Sequence, residues 1–437
     1  PAFIGLPQDT QELAYDYPVE FFEERMWAIP RPRPSRDQVS AAIAALKTAK
    51  KPLIISGGGV RYSGAEEALA QFAVERGIPM AETIAGKGAV VHDHPAYVGA
   101  LGIEGTDAAK TLAENADVVI AVGTRLQDFT TGSWTTFAPD AQFININAAR
   151  YDALKHRSIP VVGDALEAIQ ELDQGLEDWR CTPDHMAHAR AVYADWNTML
   201  DECQAPNEAP MPSYSQVISV INRQAKPADT VITAAGGLPG EAIKNWRVKQ
   251  PHTFDCEFGF SCMGYEIAGA WGHAMAMDGE GTPIVLLGDG SYMMMNSDIH
   301  SSVLSGHKMI IVVCDNGGFG VINRLQTNMG GAGFNNLLKD SRVLNKDNPL
   351  HVDFVMHAKS MGAHARHCAD LDALEAAMQW AQTTDATTVI SITSDAWEWT
   401  PGGADWYVSA PEVSTRESVR EARKGQEAFR EKQRRGV

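Results

Sequence analysis

The chain has 437 residues with 44% apolar content, and 37 Lys and Arg against 55 Asp and Glu give it a formal net charge of −18. That length suits two or three domains, each able to bury its own core, and the charge has the wrong sign for nucleic acid or an anionic membrane surface. No window holds the roughly 18 unbroken apolar residues of a membrane span, so the expected class is an acidic cytoplasmic protein that handles small molecules.

Residues 1–36 carry Pro7, Pro18, Pro30, Pro32 and Pro34. The stretch Pro30-Arg31-Pro32-Arg33-Pro34 excludes helix interior and central strand, which leaves an extended connector. Residues 3–7 read as the last strand of something upstream. The opening Pro1-Ala2-Phe3-Ile4-Gly5 has no basic stretch ahead of an apolar one, so no secretory signal is expected.

Residues 37–178 alternate strand and helix. An apolar run at 53–56 ends in Gly57-Gly58-Gly59, a helix is expected over 66–76, and further strands over 118–122, closing in Gly123, and 143–147. Such alternation predicts parallel pairing with helices on both faces. The span 179–212 reads as one polar helix and a linker in which Pro206, Pro210 and Pro212 mark a domain boundary.

A second α/β domain is expected over 213–400, with strands at 230–233, 283–287, 309–313 and 388–392. The last two are near-continuous apolar runs, the mark of strands covered on both faces. In the tail, 401–437, a charged helix is expected over 415–435. Its basic residues alternate with Glu417, Glu421, Glu427 and Glu431, which favours a solvated helix over a nucleic-acid arm. The fold class is therefore α/β, with two open parallel-sheet domains.

Six scattered cysteines, Cys181, Cys203, Cys256, Cys262, Cys314 and Cys368, form no CxxC pair and read as reduced, buried thiols. The Gly57-Gly58-Gly59 turn is not G-x-G-x-x-G. It reads as a tight strand-to-helix turn rather than a dinucleotide cradle, and Glu82, placed where a ribose-binding acid would fall, adds little.

The stronger signal lies in the second domain. Strand 283–287 ends in Gly288-Asp289-Gly290-Ser291, a helix is expected over 293–305, and strand 309–313 ends in Asp315-Asn316-Gly317-Gly318-Phe319-Gly320. Consecutive strands of a βαβ unit run parallel, so their carboxyl ends lie side by side, at the edge where open α/β sheets bind ligands. That edge presents one carboxylate, Asp289, and one carboxamide oxygen, Asn316, among glycines that let backbone approach closely. Hard oxygen donors of this kind suit Mg²⁺ bridged to a diphosphate, with a helix N-terminus after Gly290 adding positive potential.

Order and spacing here resemble the diphosphate-binding motif of thiamine-diphosphate-dependent enzymes. The resemblance implies thiamine diphosphate and Mg²⁺ as cofactors, with Asp289, Asn316 and the Gly318 carbonyl as metal ligands. The usual Asn-Asn pair is Asp315-Asn316 here; the ligand is the second member, so the metal site is expected to survive. Gly288, Gly290, Ser291 and Phe319 fall in the same cofactor-contacting stretch. Gly236, Gly237 and Leu238 match a second one.

Residues 257–266 resemble the segment ahead of a helix packed behind the cofactor. In acetohydroxyacid-synthase-like members the residue at Met263 props thiamine into its bent form, and plain core packing is the competing reading. Residues 37–178, including Gly86-Lys87-Gly88 and His94-Pro95, resemble the middle domain of those enzymes, which binds a nucleotide in some relatives and nothing in others. The family order places a pyrimidine-binding domain first, and residues 1–12 look like its final strand. The glutamate that activates the aminopyrimidine is therefore expected upstream or on another subunit, and no residue here is assigned that role.

Stretches 290–298, 315–326 and 403–414 resemble one subgroup, hydrolases of inositol catabolism that open a six-membered cyclic 1,2-diketone to 5-deoxy-glucuronate. The resemblance implies a cyclic polyol diketone as substrate and a homo-oligomer, dimer or tetramer, because the family's sites form across subunits. Trp397, Trp399 and Trp406 are candidates for covering the cavity, while His300 and His307 stay unassigned. Two alternatives remain open: an acetolactate-synthase-like carboligase, and a catalytically silent diphosphate-binding fragment or subunit.

Overall fold

The computed structural model describes residues 2–277, 279–342 and 351–434. Pro1 and Arg435, which belong to the expected first strand and last helix, lie outside them. Two six-stranded sheets, parallel at every pairing, form the two domains. The first contains β1 (Pro52–Ser56), β2 (Met80–Glu82), β3 (Tyr97–Ala100), β4 (Val118–Val122), β5 (Gln142–Asn147) and β6 (Ile159–Val162) in the order β3-β2-β1-β4-β5-β6. The second contains β7 (Thr230–Thr233), β8 (Phe254–Cys256), β9 (Pro283–Gly288), β10 (Ile310–Asp315), β11 (His364–Cys368) and β12 (Thr388–Thr393) in the order β11-β12-β10-β9-β7-β8.

Each sheet is covered on both faces, which is why its central strands read as unbroken apolar runs. Ile54, Ile120 and Ile144 pack on one side of the first sheet and Leu53, Val119 and Phe143 on the other. In the second sheet Ile284, Leu286, Ile310 and Val312 face one helical layer while Val285, Leu287, Ile311 and Val313 face its opposite. Burial of these side chains, at about 25 cal/mol per Å² of apolar surface, is the main force holding both sheets. The helix Pro183–Gln204 bridges the domains: His185 bonds to the Pro52 carbonyl and Gln204 reaches Asn245.

Several expectations need correction. Residues 2–12 contain no strand; they hold one exposed helical turn, Gln8–Gln11. The helix expected over 293–305 is two helices, Asp289–Met294 and Asp298–Ser305, because the chain turns extended at Met295. Cys262 is exposed rather than buried. Glu82, to which sequence reasoning gives little weight, is buried, accepts from Lys87 Nζ at 3.1 Å and from the Gly88 N–H at 3.2 Å, and also takes the Tyr97 hydroxyl. A buried charge survives in such a place only when paired and hydrogen-bonded.

The glycine turn after β1 is a packing device. A Cβ on Gly59 would lie 2.6 Å from the Gly123 Cα, so the turn and the end of β4 touch backbone to backbone. Gly59→Ala is expected to lower stability by about 1–3 kcal/mol, the usual cost of overpacking. An unchanged urea midpoint would show that this contact has slack.

Candidate active site

The carboxyl ends of β9 and β10 adjoin, with Gly288 opposite Cys314 in register. Gly288 closes β9, so Asp289 opens the next helix with its side chain turned inward and only 7% exposed. Asn316 follows β10 directly. Its backbone N–H donates to Asp289 Oδ1 at 3.4 Å, and its Nδ2 donates to the Tyr214 hydroxyl at 2.6 Å.

That arrangement leaves Asn316 Oδ1 buried with no hydrogen-bond partner. Orphaned buried acceptors are rare and costly, and this one is free to accept from, or coordinate, a ligand. Burial, and then the neighbouring Asp315, push the Asp289 carboxyl up to about 6. Among the described residues no three His, Cys, Asp or Glu side chains are grouped to hold a metal, so a cation here would rest on mixed oxygen donors. Carboxylate, carboxamide oxygen and backbone carbonyl form the hard donor set that Mg²⁺ takes together with phosphate. The residues present fit that ion.

The glycines make the approach possible. Gly318 has φ +135°, and a Cβ there would strike the Asn336 carbonyl oxygen at 2.5 Å. One on Gly290 would meet the Phe319 ring at 2.8 Å and Met263 Cε at 3.5 Å, which puts Gly290, Phe319 and Met263 in one cluster. Glu266, fully buried, accepts from the Gly264 N–H at 2.8 Å and the Ala235 N–H at 3.3 Å, tying the Met263 segment to the chain after β7.

A cavity of about 830 Å³ opens above these strand ends. Gly236, Gly237 and Leu238 line it from the end of β7, Met263 from the next loop, and Gly288, Gly290 and Ser291 from β9. Asn316, Gly318 and Phe319 complete the frame. Asp289 lines an adjoining hollow of about 410 Å³ that shares Gly290, Gly318 and Phe319. Trp399 and Trp406 wall the larger cavity, whereas Trp397 borders a separate one.

Four lining residues escape sequence reasoning. Glu104 enters from the loop after β3, in the other domain, and Tyr214, Lys244 and Arg324 come from helices of the second. Arg324 stacks on Trp399, 4.0 Å from ring centre. No spacing rule links these positions. His300, left unassigned, bonds to the Met361 carbonyl and lies away from the cavity.

Residues 39–172 match the model of the thiamine pyrophosphate enzyme central domain, and residues 234–392 that of the C-terminal TPP binding domain. The chain is similar to the 3D-(3,5/4)-trihydroxycyclohexane-1,2-dione hydrolase of Geobacillus thermodenitrificans, 34% identical over 98% of this chain and 70% of the relative. The enzyme of the same description from Listeria monocytogenes is 35% identical over 97% of this chain and 69% of its own length. That of Halalkalibacterium halodurans is 33% identical over 97% and 70%.

Proposed function

Because the chain belongs to the thiamine pyrophosphate enzymes, we propose that it is a thiamine-diphosphate- and Mg²⁺-dependent hydrolase. Its reaction is the opening of trihydroxycyclohexane-1,2-dione to 5-deoxy-glucuronate in inositol catabolism. The observation that carries the cofactor assignment is the unpartnered Asn316 Oδ1 beside the buried Asp289, at the mouth of paired parallel strands. The substrate assignment is supported by the names of relatives similar over nearly the whole chain.

Asp289, Asn316 Oδ1 and the Gly318 carbonyl would hold the ion, and the glycines around them would admit the diphosphate. Bound thiamine diphosphate supplies the nucleophilic carbon and electron sink needed to break a bond between two carbonyl carbons. Met263, clustered with Gly290 and Phe319 at the cavity wall, would support the coenzyme. Trp399 and Trp406 close the cavity wall and hold bulk water back, which strengthens every polar contact inside. A homodimer or tetramer is the proposed assembly and the cytoplasm the proposed location. No helix of the described residues is long and apolar enough to cross a membrane.

The deciding experiment follows ring-opening and pyruvate consumption side by side, in protein reconstituted with thiamine diphosphate and Mg²⁺. Ring-opening is expected. Pyruvate consumption without it would establish the carboligase reading instead, and failure of both, with coenzyme bound, the silent one. Tyr214 positions the Asn316 carboxamide from behind, so Tyr214→Phe is expected to weaken coenzyme affinity by about tenfold, the usual cost of losing a group that orients a metal ligand. Unchanged affinity by calorimetry would remove Tyr214 from the site.

A further inference from the structure

We propose that Glu104 is the proton-transfer residue of the ring-opening reaction, taking a proton from the attacking water and returning it to the carbon released by bond cleavage. This inference rests on the function proposed above. It starts from placement. Glu104 leaves the first domain in the loop between β3 and the helix Asp107–Glu114, and its side chain crosses to the helix Gly237–Asn245 of the second domain. A Cβ on Gly240 would lie 2.5 Å from Glu104 Oε2 and 2.6 Å from its Cδ. Gly240 lies inside that helix and is absent from the left-handed positions, so its backbone needs no glycine. The missing side chain makes room for the carboxylate one turn along from Gly237.

The second observation is what the other groups in the cavity are doing. Glu104 is the one carboxyl among the described residues that line it, and none of those residues hydrogen-bonds to that carboxyl. Lys244 Nζ is committed to the Thr400 and Gly402 carbonyls at 2.9 and 3.0 Å. The Tyr214 hydroxyl is engaged by Asn316, and Arg324 is stacked on Trp399 and offers donors but no acceptor. A free carboxyl in a partly closed cavity is the group able to trade a proton with substrate.

The chemistry balances with this one group. The water oxygen bonds to one carbonyl carbon as its proton passes to Glu104. The bond between the two carbonyl carbons breaks, and its electron pair goes to the neighbouring carbon; thiamine diphosphate, bonded to that carbon before cleavage and released from it after protonation, would supply the electron sink. The Glu104 carboxylic acid then protonates that carbon, which leaves as an aldehyde, while the first carbon leaves as a carboxylate after losing its acidic proton to solvent. The net change is addition of one water across the broken bond.

Around Glu104 stand Lys244 and Glu241 on one helix and Arg324 on another. Burial raises its pKa, and the two cations oppose that rise without cancelling it. Catalysis needs the ionised form first, so kcat/KM is expected to fall toward acid pH along a limb above the ordinary glutamate range.

The test compares wild type, Glu104→Gln and Gly240→Ala, each loaded with thiamine diphosphate and Mg²⁺. Both variants are expected to keep coenzyme affinity within about twofold and to lose single-turnover ring-opening by about 10²–10⁴-fold, and Glu104→Gln also loses the acid limb. A Glu104→Gln enzyme that keeps its rate and acid limb overturns the proposal. So does one that loses coenzyme affinity in step with rate, which would mark a structural role. Absence of ring-opening in wild type would instead overturn the function on which the proposal rests.

Discussion

Asp289→Ala is expected to weaken magnesium-dependent uptake of thiamine diphosphate by about 100-fold or more, beyond the 10–100-fold that follows loss of a merely supporting group. Of the three oxygen donors gathered at the ends of β9 and β10, Asp289 alone carries charge, and Mg²⁺ takes few protein carboxylates, so each one matters. The same substitution should not harm the metal-free fold. Asp289 accepts the Asn316 N–H at a long 3.4 Å, and although backbone N–H groups, that of Gly318 among them, pull its pKa down, burial and then Asp315 push its carboxyl up to about 6. A carboxyl whose folded pKa lies above its unfolded value of roughly 3.9 detracts from stability once pH exceeds that value. Metal-free Asp289→Ala is therefore expected to melt no lower than wild type at neutral pH, while the rise in Tm on adding coenzyme and Mg²⁺ disappears. Coenzyme titration with and without Mg²⁺, alongside melting curves, separates the two effects. Uptake equal to wild type would remove the metal clasp from the site.

The two sheets were legible because their central strands are covered on both faces, so β9 and β10 announce themselves as runs of apolar residues ending in glycine and a polar ligand. The edge strands were not. β8 has three residues, β11 is mostly exposed, with His364, Arg366 and His367 outward, and β6 contains Pro160, tolerated only where an edge needs no ladder donor. The break at Met295 falls just before Asn296-Ser297-Asp298, a cluster of cap-forming residues from which the second helix restarts. At the site, Asp289, Asn316 and Gly318 are neighbours through one βαβ unit, which spacing can reveal. Glu104 and Arg324 meet only because the first domain's β3 loop and the second domain's helices close on one cavity. No period or motif encodes that meeting.

Lys244 ties that cavity to the tail, and Lys244→Met is expected to cost about 1–3 kcal/mol, the usual cost of leaving buried hydrogen-bond partners unsatisfied. Lys244 is 7% exposed, its ammonium group donates to the Thr400 and Gly402 carbonyls, and it stands near Glu104 and Glu241. Glu241 is fully buried and accepts from the Thr400 N–H and hydroxyl. Burial already raises its pKa against the pull of Lys244 and Thr400, and removal of the cation raises it further. Between the unfolded value of roughly 4.3 and the raised folded one, the folded state binds the extra proton. Stability must then fall as pH rises through that window, so the deficit of Lys244→Met should be smallest near the unfolded pKa and largest well above it. Urea midpoints across that range test the sign directly. A deficit independent of pH would mean that Lys244 acts only as a hydrogen-bond donor to residues 400–402. Growth of the deficit with pH would tie the anchoring of the tail, and with it the wall formed by Trp399 and Trp406, to the charge of the two glutamates beneath.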